Sequence, residues 1–108
     1  MLRQIPERDW KEWRKLSAII LERFCARTLD RAAQFATGSD SAHDRYVKLF
    51  QYLKRQDRKI AVVFDHPRRS SAYEQITAAV AERMVSLDEL MVFSQETQDV
   101  IRLLLGHS

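Results

Sequence analysis

A chain of 108 residues, 45% hydrophobic and 31% charged, has material for one modest core and is too apolar to remain a disordered tail. Only two glycines and two prolines are present, which excludes the many tight turns of an all-β domain. The net charge of +3 is unevenly spread: residues 1–85 carry 17 Lys/Arg against 11 Asp/Glu, and residues 86–108 carry one Arg against four acids. That basic excess permits a polyanion partner but lacks the dense stripe of a dedicated nucleic-acid binder.

No apolar run reaches the roughly 20 residues that cross a bilayer, and the first ten residues lack the apolar core of a signal peptide. The single cysteine, Cys25, has no internal partner. These features together lead to the expectation of a cytoplasmic chain with no membrane contact.

Pro6 suits the start of a long helix over about residues 7–36, with Glu7 and Asp9 in its first turn complementing the helix dipole. Trp10, Trp13, Ile20, Leu21, Phe24, Thr28, Ala32 and Phe35 fall on one side of it. Residues 37–43 form the clearest loop, with Gly38 expected to close the first helix and Ser41 to open the next. A second helix is expected over about 44–65. Its seam runs through Tyr46, Phe50, Leu53, Asp57, Ile60 and Phe64, and Pro67 ends it.

A third helix is expected over about 68–85, with Ala72, Tyr73, Ile76, Val80 and Met84 facing inward. Ser86 and Glu89 have the spacing of a capping box and predict a short helix over about 87–93. Ser94 then caps a last one over about 95–105, with Val100, Ile101 and Leu104 inward and Gly106 at its end. The fold class is therefore all-α: one domain over 1–108, an antiparallel bundle of three main helices plus two short C-terminal ones.

Four groups of residues are candidate sites. Arg68, Arg69, Ser70 and Ser71 bring guanidinium groups and hydroxyls to a helix start, the composition of an anion site. Lys54, Arg55, Arg58 and Lys59 form a possible basic face on the second helix. Trp10 and Trp13 with Arg14 have the composition of a protein–protein contact. Asp57, a carboxylate on an apolar seam, needs a basic partner if it is buried.

Catalytic and metal chemistry find no foothold. His43, His66 and His107 are scattered, no pair has ligand spacing, and no nucleophile–base pair or glycine-rich phosphate loop is present. Arg102 and His107 resemble the Arg-x4-His pattern of HEPN-type helical ribonucleases, but the pair straddles Gly106, which should end the helix. Residues 79–94 are laid out like a helix-turn-helix, yet the would-be recognition helix carries Asp88 and Glu89, the wrong sign for DNA. The expectation is a non-enzymatic assembly or protein–protein interaction module without cofactor or metal, forming a homo-oligomer or binding another protein. The alternative is a nucleic-acid or phosphate-ligand accessory protein that uses the basic face.

Overall fold

The computed structural model describes residues 4–106, and among them every regular element is helical. Helix α1 spans Glu7–Ala36 and α2 spans Ala42–Phe64. A 3-10 turn at Arg69–Ser71 leads into α3, Ala72–Ala81; a second 3-10 turn at Glu89–Val92 precedes α4, Gln95–Leu104. The all-α class is as the sequence indicates, with two differences in detail. The third helix stops four residues early, and the expected short helix over 87–93 is a 3-10 turn.

The early stop has a local cause. The Arg83 N–H donates to the Val80 carbonyl and the Met84 N–H to the Ala79 carbonyl, which is the paired closure of a Schellman motif. Arg83 takes the left-handed position there, with φ of 58°, where glycine is usual. At the end of α1 the expectation about Gly38 fails. Thr37 is the capping residue, bonded through both its N–H and its hydroxyl to the Ala33 carbonyl, and Gly38 has no left-handed φ. The three serine caps do form. The Ser41, Ser86 and Ser94 hydroxyls accept from the N–H groups of Asp44, Glu89 and Thr97, and Glu89 returns the bond to the Ser86 N–H. Gly106, with φ of 80°, follows α4.

Helices α1 and α2 pack along their length as a helical hairpin, and α3 and α4 sit against its base. The core contains Trp13, Leu16, Ile20 and Phe24 from α1, Val63 from α2, and Ala72, Tyr73, Ile76 and Ala79 from α3. Met84, Leu90, Phe93 and Ile101 complete it from the C-terminal half. At 1.5 Å per residue α1 is about 45 Å long. The molecule measures 52 × 25 × 23 Å, so the far half of the hairpin reaches past the core as a two-helix arm. Only α1 and α2 build that arm, where Phe35 and Tyr52 pack with ring centres 5.1 Å apart.

The last members of the expected α2 seam, Ile60 and Phe64, pack half-buried against the core, but up to Asp57 the buried line is a different one. It runs through Leu49, Tyr52, Gln56 and Val63, one residue or about 100° round from Tyr46, Phe50, Leu53 and Asp57. Asp57 is exposed, so the expected buried ion pair is absent and its carboxylate stays in water. In α4, Ile101 is buried and Val100 half-buried as expected, but Leu104 faces out and Leu105 packs inward instead.

The carboxylate that is buried on an apolar line is Asp9. It heads the series Asp9, Trp13, Leu16, Ile20, Phe24 and Thr28, all buried, and is itself 0% exposed. Its Oδ1 accepts from the Ser94 N–H at 2.9 Å and from Arg8 at 3.2 Å. Its Oδ2 accepts from the hydroxyls of Ser94 and Thr97, both at 2.5 Å. Burial opposes the charge, but these donors and the Arg8 cation outweigh it and hold the carboxyl below its ordinary pKa. The first turn of α1 is thereby clasped to the first turn of α4, whose positive dipole end favours the same charge.

Candidate functional site

The expected sites can now be placed residue by residue. Trp13 is 1% exposed in the core and Trp10 is half-buried against it, which takes Trp13 off any contact surface; Arg14 alone of that group is exposed. Arg69 donates through Nε to the Ile5 carbonyl at 2.8 Å, pinning the segment before α1, and the Ser71 hydroxyl donates to the Arg68 carbonyl. Those two groups serve the connection; Arg68 and Ser70 are exposed beside it. The four basic residues of α2 do not act as one group. Lys54 lies over the Phe50 ring and Lys59 pairs with Glu82 at 3.4 Å, leaving Arg55 and Arg58 exposed.

Two other surfaces emerge from the packing. The first follows from which side of the hairpin α3 covers. Ala78 and Ala81 of α3, with Glu82 just after it, share a groove with Arg58, Lys59 and Val62 of α2, and Lys59 pairs with Glu82 across it. The line Asp57, Leu53, Phe50, Tyr46 lies about half a turn round α2 from that contact. On α1, Ala18 and Leu29 are exposed, whereas Leu21, Cys25 and Ala32 are half-buried. At the base of the hairpin Phe64 packs against the core and shares a crevice with Ala18 and Leu21 of α1 and Gln75 of α3.

The hairpin thus has a covered front and an uncovered, largely apolar back. Tyr46 is 67% exposed on it and Phe50 53%, and the Tyr46 and Phe50 rings stack with centres 6.4 Å apart. Cys25 is a half-buried free thiol. Asp57 is the acidic member of this ridge.

The second surface is a cleft of about 460 Å³ between α1 and the turn that follows α3, lined by Arg23, Arg27, Arg83, Val85 and Glu89 among others. Arg23 is fixed there. Its two terminal nitrogens reach the two Glu89 oxygens at 2.8 and 3.1 Å, and one of them also reaches the Met84 carbonyl at 2.8 Å. The Arg23 bond, followed by the Ser86 N–H, keeps the Glu89 carboxyl below its ordinary pKa. Among the described residues, Arg27 and Arg83 have no carboxylate within ion-pair range.

Sequence reasoning missed both surfaces. The back face carries residues that periodicity had assigned to the core. The cleft joins side chains some 60 positions apart in sequence, as Arg23 and Glu89 are.

Among the described residues no group of three or more His, Cys, Asp or Glu side chains could hold a metal ion, and no helix is long and apolar enough to cross a membrane. Arg102 is engaged with Asp99, and His107 lies outside the described residues. No protein-family model, curated protein or solved structure matches this chain.

Proposed function

We propose that the chain is an assembly module that pairs with a second copy of itself through the back face of the α1–α2 hairpin. The observation that carries this reading is the stacked Tyr46–Phe50 pair, exposed one turn from Leu53 on an arm with no third layer, where Leu29 of α1 is exposed as well. The exposed line from Tyr46 to Asp57 is roughly 18 Å by 20 Å, or about 360 Å², the size of a weak, concentration-dependent contact and below the ~800 Å² per partner of a standard interface. Two hairpins back to back would form a four-helix layer, in which each aromatic ridge replaces the cover that α3 and α4 supply on the front. The interface lies on α2 and leaves Trp13 in the core.

Light scattering after gel filtration tests this. The expected mass rises with concentration toward about 25 kDa, twice the 12.7 kDa chain, and stays at the monomer in Phe50→Glu with helical content retained. A wild-type monomer at every concentration up to about 1 mM would sink the proposal, since even a weak contact pairs measurably below that concentration. The accessory-protein alternative has less support, because Lys54 and Lys59 are committed to Phe50 and Glu82. It requires salt-sensitive heparin retention that Arg55→Glu with Arg58→Glu abolishes.

A further inference from the structure

We propose that the front of the molecule carries a two-part site for an acidic, amphipathic peptide segment of a partner protein. One part is the arginine cleft. It holds three guanidinium groups, Arg23, Arg27 and Arg83, against the single carboxylate of Glu89, which Arg23 and Ser86 already occupy. Two cations are left without an opposite charge. Arg83 stands at a left-handed position that glycine would occupy with less strain, so a guanidinium is held at the cleft against the local backbone preference.

The other part is an apolar groove of about 290 Å³ floored by Leu90 and Ile101 and edged by Met91. Val80 and Leu87 line both the cleft and the groove, so a ligand passes from one to the other over apolar side chains. Leu87 is 78% exposed and Met91 69%, an unusual amount of bare apolar surface beside unpaired cations. Arg102 lines the groove as well, already paired with Asp99 at 3.4 Å.

The pairing of these parts selects the ligand class. A free phosphate would satisfy the arginines and leave the groove wet, and an apolar ligand would fill the groove and leave the arginines unmatched. A peptide with bulky apolar side chains next to Asp or Glu satisfies both: the carboxylates take the guanidinium forks, and the apolar residues cover Leu87 and Met91. This site lies on the side of α1 that carries Arg23 and Arg27, about half a turn round from Leu29, and does not depend on the assembly reading.

The test is selection of the whole chain against a phage-displayed library of random peptides of about 12 residues. Enriched sequences should place Asp or Glu beside Leu, Ile, Phe or Met. A synthetic peptide of the consensus, followed by fluorescence anisotropy, should lose at least about tenfold in affinity to Arg27→Glu with Arg83→Glu, and as much to Met91→Asp. Lys11→Glu, a charge reversal elsewhere on α1, should leave the affinity unchanged. All these positions are exposed, and circular dichroism verifies that the variants fold. Three results would overturn the proposal: no acidic–apolar enrichment, binding indifferent to either the arginine or the Met91 change, or inorganic phosphate displacing the peptide at equal affinity.

Discussion

Replacing Asp9 by asparagine changes one atom and should cost about 3 kcal/mol. The carboxylate is wholly buried and accepts from the Ser94 N–H on one oxygen and from the Ser94 and Thr97 hydroxyls on the other. An amide can present its oxygen to only one of these sides. Its NH2 then faces either the Ser94 N–H, which has no other acceptor to turn to, or two hydroxyls that must swing away. A bond to a charged partner contributes about 1.5–3 kcal/mol and a stranded buried donor costs about 1–3 kcal/mol; the low ends of the two, which apply because the amide oxygen keeps one side of the set, together give the estimate. For a domain of this size that lowers the Tm by roughly 12–24 °C.

Urea unfolding at neutral pH, followed by circular dichroism, measures the cost directly. A double-mutant cycle with Thr97→Val should show about 1–2 kcal/mol of coupling. The pH dependence has a definite sign. Because folding lowers the Asp9 pKa, its contribution is complete above the ordinary carboxyl value near pH 4 and is lost as pH falls through the lowered one. The gap between wild type and Asp9→Asn should therefore narrow from about pH 5 downward. An Asp9→Asn protein within about 0.5 kcal/mol of wild type at pH 7 would refute the idea that this clasp holds the ends of the bundle together.

Two further substitutions probe the other features. Arg83→Gly relieves the left-handed position and should raise stability by about 0.5–1 kcal/mol, seen as a higher urea midpoint, while weakening binding at the arginine cleft. Asp57→Leu, at an exposed position, should leave monomer stability within about 0.5 kcal/mol of wild type but tighten self-association about tenfold, measured by sedentation-equilibrium centrifugation across a dilution series. Unchanged association would place Asp57 outside the contact.

The helices were legible where chemistry is local. Pro6, Ser41, Pro67 and Ser94 mark boundaries because a ring or a hydroxyl acts on the next turn whatever the rest of the chain does. The facing of α2 was not. Tyr46, Phe50 and Leu53 make its most apolar line, and burying the most apolar line is the natural inference; the chain instead buries the line that includes Gln56 and leaves the aromatics out. The rule that a carboxylate on a buried line needs donors is sound, and it applies to Asp9. The signal was present at Asp9, four residues before Trp13 on the same line, but its place in the first turn offered a sufficient local explanation in the helix dipole. The donors that make the difference, Ser94 and Thr97, lie 85 and 88 positions away. The arginine cleft was hidden for the same reason, being assembled from α1 and the turn after α3.

That separation also sets an order of events during synthesis. The hairpin can form once residue 64 has been made, whereas Asp9 has no hydroxyl from Thr97 until a stretch of 88 further positions has been translated. At about 5–20 residues per second this is a delay of roughly 4 to 18 s. Over the last 33 positions of that interval, from 64 to Thr97, the hairpin presents an unmatched carboxylate and an apolar front that α3 and α4 have yet to cover. The helix that locks α1 is thus made well after the hairpin, and a chain stalled before Ser94 would carry a hairpin that ribosome-associated chaperones can still engage.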